Sequence, residues 1–138
     1  MIQYEKVTGD FDLSGKSAIV VGGAGGIGEA TARMYAKKGG NVAIDGCKDT
    51  CSAVAEAIAS EFGVKTIGVK CDVTSQESVD AMMAAVAEAF SEVNILAAMP
   101  GFVDLYRAEE IEISTIEKHL AINAVGVFRV CQAVANQM

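Results

Sequence analysis

Ala18-Ile19-Val20-Val21-Gly22-Gly23-Ala24-Gly25-Gly26-Ile27-Gly28 is the stretch on which the fold turns. Its first four residues are a compact, largely β-branched apolar run that ends in glycines, the pattern of a strand buried on both faces. From Ile27 the positions 27, 30, 31, 34 and 35 form one helical face, while Glu29, Arg33 and Lys37 occupy the other. A helix therefore opens directly out of the glycines and is stopped by Gly39-Gly40.

Outward from this unit the alternation repeats. Val42-Ala43-Ile44 reads as a second strand, followed by a helix with Cys51, Val54, Ala55, Ile58 and Phe62 on one face and Gly63 at its end. Thr66-Ile67-Gly68-Val69 is a third strand. Thr74-Ser-Gln-Glu77 reads as a capping box, and the helix behind it aligns Val79, Met82, Met83, Val86 and Phe90 as a core face. The fourth strand, Val93 to Ala98, is closed by Pro100-Gly101. A second capping box, Ser114-Thr-Ile-Glu117, opens a last helix whose stripe is Ile116, Leu120, Val127, Cys131 and Val134. The order βαβαβαβα implies an α/β fold: a Rossmann-like, doubly wound parallel sheet with right-handed crossovers. It forms one domain over residues 1–138, incomplete at the carboxyl end.

Composition agrees. At 138 residues, 51% hydrophobic and 21% charged, the chain is long and apolar enough for one packed core. A net charge of −7 argues against a nucleic-acid partner. No apolar run approaches the roughly 20 residues of a membrane span, and the start, Met1-Ile-Gln-Tyr-Glu-Lys, is too polar for an export signal. Cys47, Cys51, Cys71 and Cys131 contain no Cys-x-x-Cys, and His119 is the sole histidine, so no metal site is expected. Reduced thiols in a cytoplasmic protein are the expectation.

The glycines carry the chemistry. Their spacing, Gly22-x-x-x-Gly26-x-Gly28, allows a sharp turn and leaves no side chain between the backbone and a diphosphate. The uncapped N–H groups and dipole at the helix start then attract the anion without a lysine. Ile27 is expected to turn inward and anchor that helix. Methyltransferases also place a glycine loop after strand one, but with glycines at alternate positions.

The lead-in Phe11-Asp-Leu-Ser-Gly-Lys16, the glycine loop, Asp72-Val73-Thr74, and Asn123 with Gly126-Val-Phe128 together resemble the short-chain dehydrogenase/reductase family. The resemblance runs from near residue 11 to the last residues. It implies a NAD or NADP cofactor, an alcohol or carbonyl substrate, and a homo-oligomer in the full-length protein. The cofactor seat is expected to comprise Gly22, Gly25, Gly26, Ile27, Gly28, Asp45, Cys47, Asp72, Val73, Ala98 and Gly101. An acidic residue ending strand two hydrogen-bonds the adenosine ribose in dinucleotide folds, and Asp45 is the candidate; merely ending the strand is the other reading. The family's usual acidic position falls on Gly46, with Cys47 where phosphate-accepting members often carry arginine and Lys48 next door, which leaves NAD and NADP both open. Asp72 resembles the aspartate that meets the adenine amino group, although an Asp before a helix also ties off a turn.

Two departures from the family stand together. Val21 takes the place of a common threonine, and Ala98-Met99-Pro100-Gly101 replaces Asn-Asn-Ala-Gly, so a polar tie between strands one and four is exchanged for an apolar one. Pro100 also deletes one backbone N–H.

By resemblance, Asn123 is the catalytic position that bends the helix and holds a water in a proton relay, continuing through a lysine to a tyrosine, with a serine orienting the substrate. Its place on the stripe predicts a buried amide; a satisfied core asparagine is the alternative. None of Tyr4, Tyr35 or Tyr106 has a lysine four places on, and Met138 lies fifteen residues past Asn123. The expectation is a cofactor-binding fragment of an oxidoreductase, inactive or nearly so by itself, with Phe102 to Arg107 as one wall of the substrate pocket. A short, non-catalytic dinucleotide-binding or regulatory module is the alternative.

Overall fold

Each apolar run becomes a strand of one parallel sheet. In the computed structural model, which describes residues 11–138, β1 (Ser17–Val21), β2 (Asn41–Gly46), β3 (Thr66–Lys70) and β4 (Ile95–Ala98) stand in the order β3-β2-β1-β4. The polar opening residues and Tyr4 lie outside the described part. Between the strands run α1 (Gly26–Lys37), α2 (Cys51–Phe62) and α3 (Gln76–Ala89); after β4 come α4 (Ile113–Leu120), a π-helical turn (Ala121–Gly126) and α5 (Val127–Ala135). Among the described residues no helix is long and apolar enough to cross a membrane.

The two-residue period of the strands feeds two cores. Val20, Val42 and Ile44 pack with α1 and α2 on one face. Ile19, Val21 and Ala43 pack with α3 and α5 on the other. Helices on both faces are what the buried central strands β1 and β2 require. The α3 methionines, Met82 and Met83, are buried core residues.

Three local expectations are corrected. The α3 cap is Ser75, whose side chain accepts from the Ser78 N–H at 3.2 Å, because Thr74 is drawn back to Asp72 instead. At α4 the cap position is Glu112, and Ser114 turns its hydroxyl to that carboxylate rather than to the helix. Along α1 the buried residues are Gly28, Ala32 and Ala36, while Ile27 is 80% and Met34 53% exposed. Small residues four apart win this face because the helix start lies directly on the glycine turn. A Cβ on Gly28 would stand 2.0 Å from the Gly22 carbonyl oxygen.

The last helix is also re-phased. Its expected stripe through Val127 and Cys131 is replaced by Gly126, Val130 and Val134, one residue earlier over most of its length. A π turn stands between α4, which has no buried residue, and α5. Leu120 and Cys131 are exposed.

Candidate cofactor-binding site

At the carboxyl ends of the strands the chain leaves a cleft of about 290 Å³. The sheet grows from β1 through β2 to β3 on one side and adds β4 on the other, so the cleft occupies the switch point where open parallel sheets receive ligands. Its walls come from the glycine turn, the end of β2 (Gly46, Cys47, Lys48), the end of β3 (Cys71, Asp72, Val73), the segment after β4 (Met99 to Phe102) and Ile122 of the π turn.

The glycines divide into two kinds. Gly22, at φ +83°, and Gly28 are packed against backbone: a Cβ on Gly22 would lie 2.5 Å from the Met99 carbonyl oxygen. Gly25 and Gly26 are open, and a Cβ at Gly25 would meet nothing closer than Lys48 Nζ at 3.9 Å. Gly25 is the α1 cap residue and no side chain caps the helix. The first amides of α1 therefore lie beside a space that only a side chain at Gly25 or Gly26 would fill, as an anion cradle requires. The Ile27 side chain is exposed and does not anchor the helix.

Asp45 does not reach the cleft. Strand alternation puts it on the Ala43 face, opposite Ile44, fully buried and with neither carboxylate oxygen hydrogen-bonded. A one-residue offset in a strand reverses the face, so the shift from Gly46 to Asp45 turns the acid away from any ribose. Burial pushes its carboxyl up to about 8, so it is largely protonated at neutral pH. The same burial, with Asp45 nearby, raises the Cys71 thiol to about 11.

Asp72 ties off its turn at the edge of the cleft. Its Oδ1 accepts from the Thr74 N–H at 2.9 Å and the Thr74 hydroxyl at 2.7 Å, which ties off the turn and holds its carboxyl below the ordinary value. The residue still lines the cleft. Val73 lines it too, and its carbonyl accepts from the Arg129 guanidinium. Ala98 lies in register beside Val21, below the rim, where the Met99 N–H donates to the Val21 carbonyl at 2.9 Å. β1 and β4 are thus joined by backbone bonds between apolar residues at this point.

Asn123, in the π turn, is exposed rather than buried, and α4 before it has no buried residue. Its Oδ1 accepts from the Phe102 N–H and its Nδ2 donates to the Phe102 carbonyl, both at 2.8 Å. The Phe102 ring lies 4.9 Å from that of His119, with Lys118 Nζ 4.0 Å from its centroid. The cleft thus brings together Gly22, Gly25, Cys47, Asp72, Val73 and Gly101 and leaves Gly26, Ile27, Gly28, Asp45 and Ala98 out of its lining. Ile122 was missed by sequence reasoning because its place depends on the π turn.

A parallel α/β sheet with a bare-amide cradle at its switch point defines the nucleotide-binding class of α/β proteins. Within that class the chain belongs to the short chain dehydrogenase family, whose model matches residues 16–138. It is 40% identical to D-threitol dehydrogenase of Mycolicibacterium smegmatis over all of this chain and 54% of that protein. L-sorbose reductase of Gluconobacter frateurii, solved with NADPH and L-sorbose, matches with a TM-score of 0.86 at 26% identity, over 94% of this chain and 49% of that one. NAD+-bound xylitol dehydrogenase matches with a TM-score of 0.86 at 29% identity, over 91% of this chain and 49% of that one. The chain spans about half the length of the relatives it matches.

Proposed function

We propose that this chain is the NAD(P)-binding half of an oxidoreductase that transfers a hydride between the nicotinamide and an alcohol or carbonyl group. Polyols and sugars are the substrate class, since D-threitol, L-sorbose and xylitol enzymes are among its relatives. The observation that carries the reading is the uncapped start of α1 beside the open faces of Gly25 and Gly26. The amides of Gly25, Gly26 and Ile27 hold the diphosphate, and Asp72 with Val73 holds the adenine. Cys47 and Gly101 complete the walls, and Gly22 and Gly28 shape the turn.

When bound, the nicotinamide supplies the hydride donor or acceptor. The chain's own residues bind and orient it; Asn123 positions the wall at Phe102. No tyrosine here has a lysine four residues on, and the role read for these residues is to bind and orient the nucleotide. Homo-oligomerisation is proposed for the full-length form.

The test is a fluorescence titration with NADH and NADPH of the wild-type chain and of Gly25→Val. Gly25 has an extended backbone, φ 163°, that any residue adopts, and open space for a side chain. The variant should fold and lose about tenfold or more in affinity, roughly 1.4 kcal/mol. Unchanged affinity in a folded Gly25→Val protein would remove the cradle from the site.

A further inference from the structure

We infer that His119 is a positioning residue for the cleft: as a neutral imidazole it clips the backbone of residues 102–104 to α4, and on protonation it releases that wall.

The two partners of the ring fix its state. Nδ1 lies 2.7 Å from the Thr115 carbonyl oxygen, which can only accept, so Nδ1 carries the proton. Nε2 lies 3.3 Å from the Asp104 backbone nitrogen, which can only donate, so Nε2 is the bare acceptor. Both bonds exist together only in the neutral ring with its proton on Nδ1. The Phe102 ring rests against the imidazole, 4.9 Å away between centroids and tilted by 50°. Four residues further on, Asn123 holds the Phe102 N–H and carbonyl. Phe102 lines the cleft. Two side chains therefore fasten this wall to the helix, and one of them can change its charge.

Protonation ends the Asp104 bond. An imidazolium is a donor at both nitrogens, so Nε2–H would face the Asp104 N–H, donor against donor. The charged groups adjoining the ring are Lys118, whose Nζ already lies 4.0 Å from the Phe102 centroid, and the carboxylate of Asp104, the residue being released. Along its own helix the residues three and four places away, Thr115, Ile116, Ile122 and Asn123, carry no charge. Imidazole is the side chain that ordinarily changes charge between about pH 5 and 8. The wall is thus held at neutral and alkaline pH and loosened in acid.

The experiment follows the whole chain by NMR from pH 8 to pH 5 without nucleotide, beside His119→Gln and His119→Phe. At pH 8 the ring nitrogens should report the Nδ1–H tautomer. The Asp104 amide should shift with the same midpoint as the His119 ring protons. Its hydrogen exchange, corrected for the intrinsic effect of pH, should quicken about tenfold across that transition, as the loss of one hydrogen bond allows. Glutamine offers a neutral acceptor near the place of Nε2, so His119→Gln should keep the amide protected at every pH. Phenylalanine offers none, and His119→Phe should exchange fast throughout. A second arm rests on the cofactor reading above and titrates NAD+ and NADP+ at pH 8 and pH 5.5. Whichever binds at pH 8 should weaken several-fold more in wild type than in His119→Gln, where Asp45 and the nucleotide titrate alike. An Nε2–H tautomer, or an Asp104 amide indifferent to the His119 titration, would overturn the inference. So would equal pH dependence of binding in wild type and His119→Gln. Binding of neither nucleotide at pH 8 would overturn the cofactor reading instead, and the amide measurements would then decide the clip by themselves.

Discussion

Asn123 grips the backbone of Phe102 from both sides, accepting from its N–H and donating to its carbonyl at 2.8 Å each. The pair fastens the π turn to the segment after β4, so a helix irregularity and a cleft wall form one unit. π turns recur where a helix must place a functional group out of phase. Asn123→Ala should lose about 1–3 kcal/mol of stability, since two bonds go and the backbone of Phe102 is freed. Urea unfolding gives the loss, and nucleotide titration should show affinity falling several-fold. Asn123→Asp keeps the acceptor and should land between the two; an alanine variant as stable and as tight-binding as wild type would show the bridge to be idle.

Asp45 makes stability depend on pH. Its carboxyl rises from 3.8 to about 8 on burial, so the folded state holds a proton that the unfolded state has released. Stability from this group is complete below about pH 4 and falls, by at most about 1.4 kcal/mol per pH unit, until pH passes roughly 8. Asp45→Ala removes the titration. Denaturant midpoints at pH 5, 7 and 9 should fall for wild type and stay nearly level for the variant; parallel curves would mean that the carboxyl is paired or hydrated.

Gly28→Ala should fail structurally where Gly25→Val does not. The added methyl would sit 2.0 Å from the Gly22 carbonyl oxygen, so turn and helix must separate. A loss of several kcal/mol in stability is expected, of the order seen for overpacked cores, and thermal unfolding measures it. A wild-type melting temperature would mean that the two segments are not in contact.

Val21→Thr introduces the threonine that the family resemblance implies at this position yet should not stabilise this chain. Val21 is buried beside Ala98, which has no polar atom to offer. A buried hydroxyl there is either left unpartnered, at about 1–3 kcal/mol, or must take Asp45, in register on the other side, as its partner. A rise in melting temperature would disprove the apolar exchange.

The fold was legible because strand alternation and glycine punctuation are local signals. Val20 and Ile44 against Ile19 and Ala43 already specify two faces, and the cleft follows from the glycines between β1 and α1. Two features escaped, the first because one residue of phase reverses a side chain in a strand. Asp45 looks like the ribose acid by its distance from Gly28, but strand parity sends it inward. Asn123 looks buried on a stripe continued from Ile116 and Leu120, but α4 has no buried residue and Asn123 is exposed with it. The Ser75 cap was hidden by Thr74, an equally good capping residue that Asp72 recruits first. Ile27 misled because its size suggests core, whereas the contact at the glycine turn admits nothing larger than Gly28.

The most direct measurement is a backbone amide NMR titration of the chain with NADPH. The amides of Gly25, Gly26 and Ile27 should shift most and saturably, followed by those of Asp72 and Val73. Saturable binding that leaves the three glycine-turn resonances unmoved would contradict the central claim that bare amides at the start of α1 seat the nucleotide.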